Sequence, residues 1–279
     1  MLGAALAPGA AARAEEASVP GFLRGGLFFV RVAIGDGPPG LFLLDTGAAT
    51  TVLDARFAGA AHVKLGDPTH IIGGGGATEA RRAEDVALSV GARRGLLVDP
   101  VVSDLSQVRQ GMGVPLDGIL GDDLLQRFVV ALDYRDGAVR LSTTSSAPPA
   151  DAAPMRMIAT PFVAARVEAG GRAETAAFQI DTGSNTAIAF WAPFADVVFP
   201  QTPTVPGAGL GVAGATRSRL GRIDALTVAG RRIANPGANF ADQVRPDDAQ
   251  SDYGGVIGGP AWAGLVLTLD FPHRRVWVH

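Results

Sequence analysis

The chain contains no cysteine, which excludes disulfide frameworks, thiolate nucleophiles and cysteine-based zinc sites and leaves the fold to stand on its core alone. Among 24 basic residues it has one lysine, Lys64, and no run of Lys or Arg longer than pairs such as Arg81-Arg82, Arg93-Arg94 and Arg231-Arg232. With a net charge of −3, the sequence offers no electrostatic footprint for nucleic acid. Gly-x-Ser-x-Gly is absent, so a serine hydrolase would lack its nucleophile turn. No apolar run reaches the roughly 18 residues of a spanning helix. His62, His70, His273 and His279 fall in no metal-ligand spacing, so neither a metal nor a cofactor is expected.

What is present is a globular composition, 47% hydrophobic and 18% charged over 279 residues, long enough for two domains with a core each. Residues 1–20 read as a leader. The stretch to Glu16 is Ala-rich and carries Ala12-Arg13-Ala14, a pattern like a signal-peptidase site, although no positive segment precedes it. A periplasmic or secreted location is the expectation.

Along the chain, Gly26 to Ile34 alternates as a strand and Gly35-Asp36-Gly37-Pro38-Pro39-Gly40 is its turn. Leu41-Phe42-Leu43-Leu44 then delivers Asp45-Thr46-Gly47, and Thr50 to Leu53 is a further short strand. A glycine-tipped hairpin is expected about Gly73, Gly74, Gly75 and Gly76. Ile119-Leu120-Gly121 precedes Asp122 to Phe128, which reads as a capped helix. Val129 to Tyr134 and Ala138 to Leu141 form a hairpin, and residues 145–157 read as a Ser/Ala/Pro-rich linker.

The second half repeats the first. Asp-Thr-Gly recurs as Asp181-Thr182-Gly183, 136 residues on. Gly76-Ala77-Thr78 recurs as Gly214-Ala215-Thr216, Ala87 to Val90 as Ala225 to Val228, Gly121 as Gly258 and Asp133 as Asp270, at offsets of 137 or 138. Landmarks kept in register across a whole half mark a tandem duplication. Lobes are expected at 21–144 and 158–279. Gly209-x-Gly211-x-x-Gly214 matches the dinucleotide fingerprint, but no strand precedes it and an alternating segment follows, so it reads as the second glycine-tipped hairpin.

Each apolar run that ends in Asp-Thr-Gly reads as a strand stopping at a tight turn, and two such strands can bring two carboxylates face to face. Burial and like-charge repulsion then let Asp45 and Asp181 hold one proton between them, one acting as base and the other as acid. Ser184 follows the second triplet where Ala48 follows the first. Its hydroxyl is expected to donate to Asp181 and favour the charged form.

These paired triplets, with Ile119-Leu120-Gly121 and Val256-Ile257-Gly258, resemble the retropepsin-like aspartic peptidases with two lobes fused in one chain. The resemblance covers about residues 25 to 279. It implies an all-β fold of two similar retropepsin-like β-barrel lobes with an active-site cleft between them, and short helices after the apolar-apolar-Gly motifs. It also implies catalytic Asp45 and Asp181, and Thr46 and Thr182 hydrogen-bonding across the lobe junction. Gly47, Gly183 and Ser184 support the site. Gly73 to Gly76, Gly211 and Gly214 are flap candidates, although neither Tyr134 nor Tyr253 lies in a flap. The expected activity is endopeptidase cleavage of a polypeptide by a monomer. The alternative is a peptide-binding module that kept the fold without turnover. A cleft lined by Val, Ile, Leu and Phe suits apolar residues beside the cut, with Arg81, Arg82, Arg217 and Arg219 favouring acidic positions beyond it.

Overall fold

In the computed structural model, residues 16–73, 76–144, 147–211, 214–242 and 253–279 are described. The first half supplies β1 (Glu16–Val19), β2 (Gly21–Arg24), β3 (Leu27–Ile34), β4 (Gly40–Leu44), β5 (Val52–Asp54), β6 (Pro68–Gly73), β7 (Gly76–Arg82), β8 (Val86–Val90), β9 (Arg93–Val98), β10 (Val101–Ser103), β11 (Leu116–Leu120), β12 (Val129–Asp133) and β13 (Ala138–Ser142). The second half supplies β14 (Ala153–Ile158), β15 (Thr160–Ala169), β16 (Arg172–Asp181), β17 (Ile188–Phe190), β18 (Thr204–Gly211), β19 (Gly214–Arg222), β20 (Ala225–Val228), β21 (Arg231–Ala234), β22 (Gly237–Ala241), β23 (Tyr253–Gly258), β24 (Val266–Asp270) and β25 (Arg275–Val278). Helices are few and short: α1 (Ala55–Ala60), α2 (Ser106–Met112), α3 (Asp122–Leu125) and α4 (Ala192–Val198), with a 3-10 turn at Gly259–Trp262.

The duplication is legible in the strand order. The first lobe runs β6-β7-β10-β5-β11-β4-β3-β8-β9, with β2 on β3. The second runs β18-β19-β22-β17-β23-β16-β15, with β14 and β20 on β15 and β21 on β20. Each strand thus finds its counterpart in the same place. The protein is all-β and two-lobed, as the resemblance implied.

The aspartate-bearing strand β4 is buried along its whole length because its two faces feed two cores. Phe42 and Leu44 join the main core, while Leu41 and Leu43 join a second cluster with Leu27, Phe29, Val52 and Ile119. Side chains that alternate across a strand make a continuous apolar run necessary when both faces are covered. Strands β4 and β11 pair in parallel, Leu43 with Ile119 and Leu44 with Leu120; β16 and β23 repeat this, Ile180 with Ile257 and Asp181 with Gly258.

Beneath the two lobes one sheet joins them in the order β1-β13-β12-β24-β25-β14. Strand β12 pairs antiparallel with β24 from Val129↔Asp270 to Asp133↔Val266, so each half closes on the other through backbone hydrogen bonds. Two sequence expectations change here. Glu16–Val19, inside the span read as leader, is a strand paired with β13; residues 1–15 lie outside the described residues. Ala153–Ile158, largely inside the span read as linker, is a strand held by β15 and β25. Its Pro154 sits near the strand start, where a missing N–H is tolerated, and Met155 is buried. The helix expected over Asp122 to Phe128 is one turn, and its N-cap is Gly121 with no side-chain cap.

Gly118 in β11 and Gly254 in β23 are each pressed by the equivalent phenylalanine of the aspartate-bearing strand. A Cβ on Gly118 would lie 2.2 Å from the Phe42 ring and one on Gly254 2.2 Å from the Phe178 ring. Gly118→Ala is expected to cost about 1–3 kcal/mol through overpacking, read as a lower denaturation midpoint at unchanged slope. A midpoint equal to the parent's would show that Phe42 can move aside.

Candidate active site

Strands β4 and β16 end at the junction of the lobes, and their turns face each other there. Thr46 and Thr182 are completely buried and clasp one another's loops. The Thr46 N–H donates to Thr182 Oγ1 at 3.1 Å, and the Thr182 N–H to Thr46 Oγ1 at 3.1 Å. Each hydroxyl then donates across the junction, Thr46 Oγ1 to the Ile180 carbonyl at 2.7 Å and Thr182 Oγ1 to the Leu44 carbonyl at 2.9 Å. Four buried bonds between residues 134 to 138 apart in sequence fix the two turns in register. A threonine serves because one hydroxyl both accepts and donates.

The clasp brings Asp45 and Asp181 together, close enough for a hydrogen bond between their carboxyls. Each accepts the N–H of its own glycine, Gly47 to Asp45 Oδ1 at 2.7 Å and Gly183 to Asp181 Oδ1 at 2.9 Å. Each glycine also lies against the opposite carboxyl. A Cβ on Gly47 would stand 2.4 Å from Asp181 Cγ, and one on Gly183 2.3 Å from Asp45 Cγ. Any side chain at either place would push the pair apart. Gly121 and Gly258 are similarly required, since a Cβ would meet the carbonyls of Ala48 and Thr50 in one lobe and of Ser184 and Thr186 in the other.

Burial raises the pKa of both carboxyls above the ordinary value. For Asp181 the desolvation is joined by the Asp45 charge and by the bond between the two carboxyls, which both raise it. For Asp45 that same bond and the N–H groups of Gly47, Ala48 and Gly183 counter the desolvation. The pair therefore keeps one proton, held by the two carboxyls together, over a range in which isolated carboxylates are ionised.

The expectation for Ser184 is corrected. Its hydroxyl accepts the Thr186 N–H at 3.5 Å, and it acts on Asp181 through its backbone N–H. Ala48 acts on Asp45 in the same way, so the two lobes do not differ by a hydroxyl here. Burial, and not Ala48, is the largest cause of the raised values.

Both glycine-tipped hairpins are present. Strands β6 and β7 pair as far as Gly73↔Gly76, and β18 and β19 as far as Gly211↔Gly214. Gly76 and Gly214 have φ of 121° and 111°, a region that side chains resist; Gly74 and Gly75 lie outside the described residues. The antiparallel pairing at Gly211 and Gly214 leaves no strand-to-helix turn for a dinucleotide. Strand β18 passes beside α2 of the other lobe. Of the arginines expected to meet acidic residues, Arg81 is held by the Gly66 carbonyl and Arg219 by Asp196 and Asp242. Arg82 and Arg217 are exposed. Tyr134 is buried against Phe28, away from any hairpin tip. Among the described residues no cluster of metal-ligating side chains occurs.

Two acids beside the dyad are not helix-start residues in the ordinary sense. Asp123 accepts from the Thr51 N–H at 3.0 Å and Thr51 Oγ1 at 2.6 Å, while Thr51 Oγ1 accepts the Gly121 N–H at 3.2 Å. This ties the apolar-apolar-Gly motif to the loop after Asp45. Asp122 is 1% exposed, and neither of its carboxyl oxygens has a hydrogen-bond partner among the described residues. Burial first, then the charges of Asp45, Asp123 and Asp181, push its pKa up to about 9. The only sequence signal for these roles was their position directly after a glycine that must touch the Asp45 loop.

Residues 30–124 match the family model described as aspartyl protease, a span that includes Asp45, the first hairpin and the Ile119-Leu120-Gly121 motif. No curated protein matches the chain.

The Asp122 geometry yields a pH prediction. Unfolded, its carboxyl titrates near the ordinary 3.8; folded, near 9. Between those values the native state binds a proton that the unfolded chain has released. Stability therefore falls as pH rises through this window, by up to about 1.4 kcal/mol per pH unit. Asp122→Asn, neutral throughout, is expected to equal the parent near pH 4 and exceed it in unfolding temperature at pH 7 to 8. A parent and variant that track each other across this range would contradict a neutral buried Asp122.

Proposed function

We propose that this chain, whose first lobe belongs to the retropepsin-like aspartic peptidases, is an endopeptidase that hydrolyses polypeptides with Asp45 and Asp181 as a catalytic pair. The observation that carries the reading is the pair of half-buried carboxyls held face to face by the Thr46–Thr182 clasp, each against the other's glycine. Charged Asp45 takes a proton from a water between the carboxyls as its oxygen bonds to the scissile carbonyl carbon. Neutral Asp181 gives its proton to the carbonyl oxygen, and a gem-diol results. In the second step one gem-diol hydroxyl returns its proton to Asp181 while the C–N bond breaks. Asp45 passes its proton to the leaving nitrogen. The dyad is restored with no acyl-enzyme, and no metal or cofactor is consumed.

An extended polypeptide is the substrate that suits a junction between two β-lobes flanked by two hairpins, whose strand edges can pair with a peptide backbone. Both triplets come from one chain, so a monomer suffices. The glycine-tipped hairpins are the elements proposed to close over substrate.

Asp45→Asn and Asp181→Asn are each expected to lower kcat on an unfolded protein substrate by at least about a thousandfold, within the range that acid–base groups contribute. Unfolding temperatures should stay within a few degrees of the parent. The parent's pH–rate profile should be bell-shaped, with an acid limb above the ordinary carboxylate range because Asp45 is raised. The alkaline limb is set by loss of the Asp181 proton. Binding of the unfolded protein with no cleavage by the parent would instead support a peptide-binding module.

A further inference from the structure

The two walls beside the dyad are built from equivalent positions but differ in chemistry. Phe29 pairs with Leu43 in the first lobe and Phe162 with Gln179 in the second, so Gln179 stands where the repeat has Leu43, and Thr160 where it has Leu27. Leu27, Phe29 and Leu43 lie in one apolar cluster, with Ala48 and the hairpin residue Ile71 packed against it. Residues two apart on a strand share a face, so Leu43 and Gln179 each stand on the side of their aspartate.

Gln179 is half-buried. Its side-chain NH2 donates to Thr160 Oγ1 at 2.9 Å and lies 3.4 Å from the Gly47 carbonyl, in the glycine that touches Asp181. A carbonyl can only accept, so this contact fixes the NH2 end of the amide inward and leaves Oε1 with no hydrogen-bond partner among the described residues. Leu43 offers nothing comparable to Gly183.

From this asymmetry we infer that the cleft is two-faced, with Gln179 selecting a substrate side chain that donates a hydrogen bond, such as Ser, Thr, Asn or Gln, on one side of the scissile bond, while half-buried Ala48 and Ile71, packed on the buried Leu27/Leu43 cluster, take an apolar side chain on the other. The inference rests on the endopeptidase reading. Gln179 acts here as a specificity residue: an unmet Oε1 disfavours an apolar group beside it, and a site built to hydrogen-bond discriminates more sharply than one built on apolar fit.

The test uses the full chain and peptides identical except for Thr or Val, which share a shape, at the residue on either side of the cut. The parent is expected to prefer Thr over Val on one side by about tenfold in kcat/KM, and Val on the other. Gln179→Leu should reverse the first preference and leave the second, as should Gln179→Met, which keeps the side chain's length and guards against a misfolded leucine variant. Preference for Val on both sides by the parent, or an unchanged Thr/Val ratio in a folded variant, would overturn the two-faced cleft while leaving the peptidase reading intact. Cleavage that survives in Asp45→Asn would remove the reading itself and the inference with it.

Discussion

Everything near the centre of this molecule follows from the cost of burying two carboxyl groups against each other. Like charges in a desolvated place cannot both ionise, and the chain meets this by letting the pair share a proton and by surrounding it with N–H donors from Gly47 and Gly183. Such a pair has value only if its separation is fixed. The Thr46–Thr182 clasp does this with four hydrogen bonds, each connecting one lobe to the other. Losing either hydroxyl would strand a buried N–H and a buried carbonyl, each costing on the order of 1–3 kcal/mol.

The rest of the fold serves that separation. Parallel pairing of β11 with β4 and of β23 with β16 backs each aspartate loop with an apolar strand. The glycines at 47, 121, 183 and 258 allow approaches that any Cβ would forbid. Below, the backbone pairing of β12 with β24 makes the two lobes one body. The lobes are not copies in chemistry, however. Asp122 and Asp123 crowd the first, where the second has Gly259 and Pro260 at the equivalent places, and Gln179 replaces a leucine on the second.

Much of this was legible in the sequence because it is written in repetition. Offsets of 136 to 138 residues gave the duplication, and Asp-Thr-Gly after an apolar run gave the dyad. The sequence also signalled both hairpins and the turn after Gly121. What escaped depends on partners remote in sequence. Periodicity shows which face of Glu16–Val19 or Ala153–Ile158 is apolar but not which strand completes it, so two sheet members read as leader and linker. The Ser184 hydroxyl turned to the Thr186 N–H, a local competitor that a residue count does not reveal. Asp122 looked like a helix-start acid, and only the packing of Gly121 on the Asp45 loop shows that it is buried.

The central claim is that Asp45 and Asp181 share one proton because they are desolvated and held together. It is tested most directly by carbon-13 NMR titration of aspartate carboxyls in the parent and in Asp45→Asn. The account predicts that in the parent Asp181 stays protonated well above the ordinary carboxylate range, and that removing the Asp45 charge lowers its titration midpoint. Two carboxyls that both titrate near 3.8 in the parent, with the Asp181 midpoint unmoved in the variant, would contradict it.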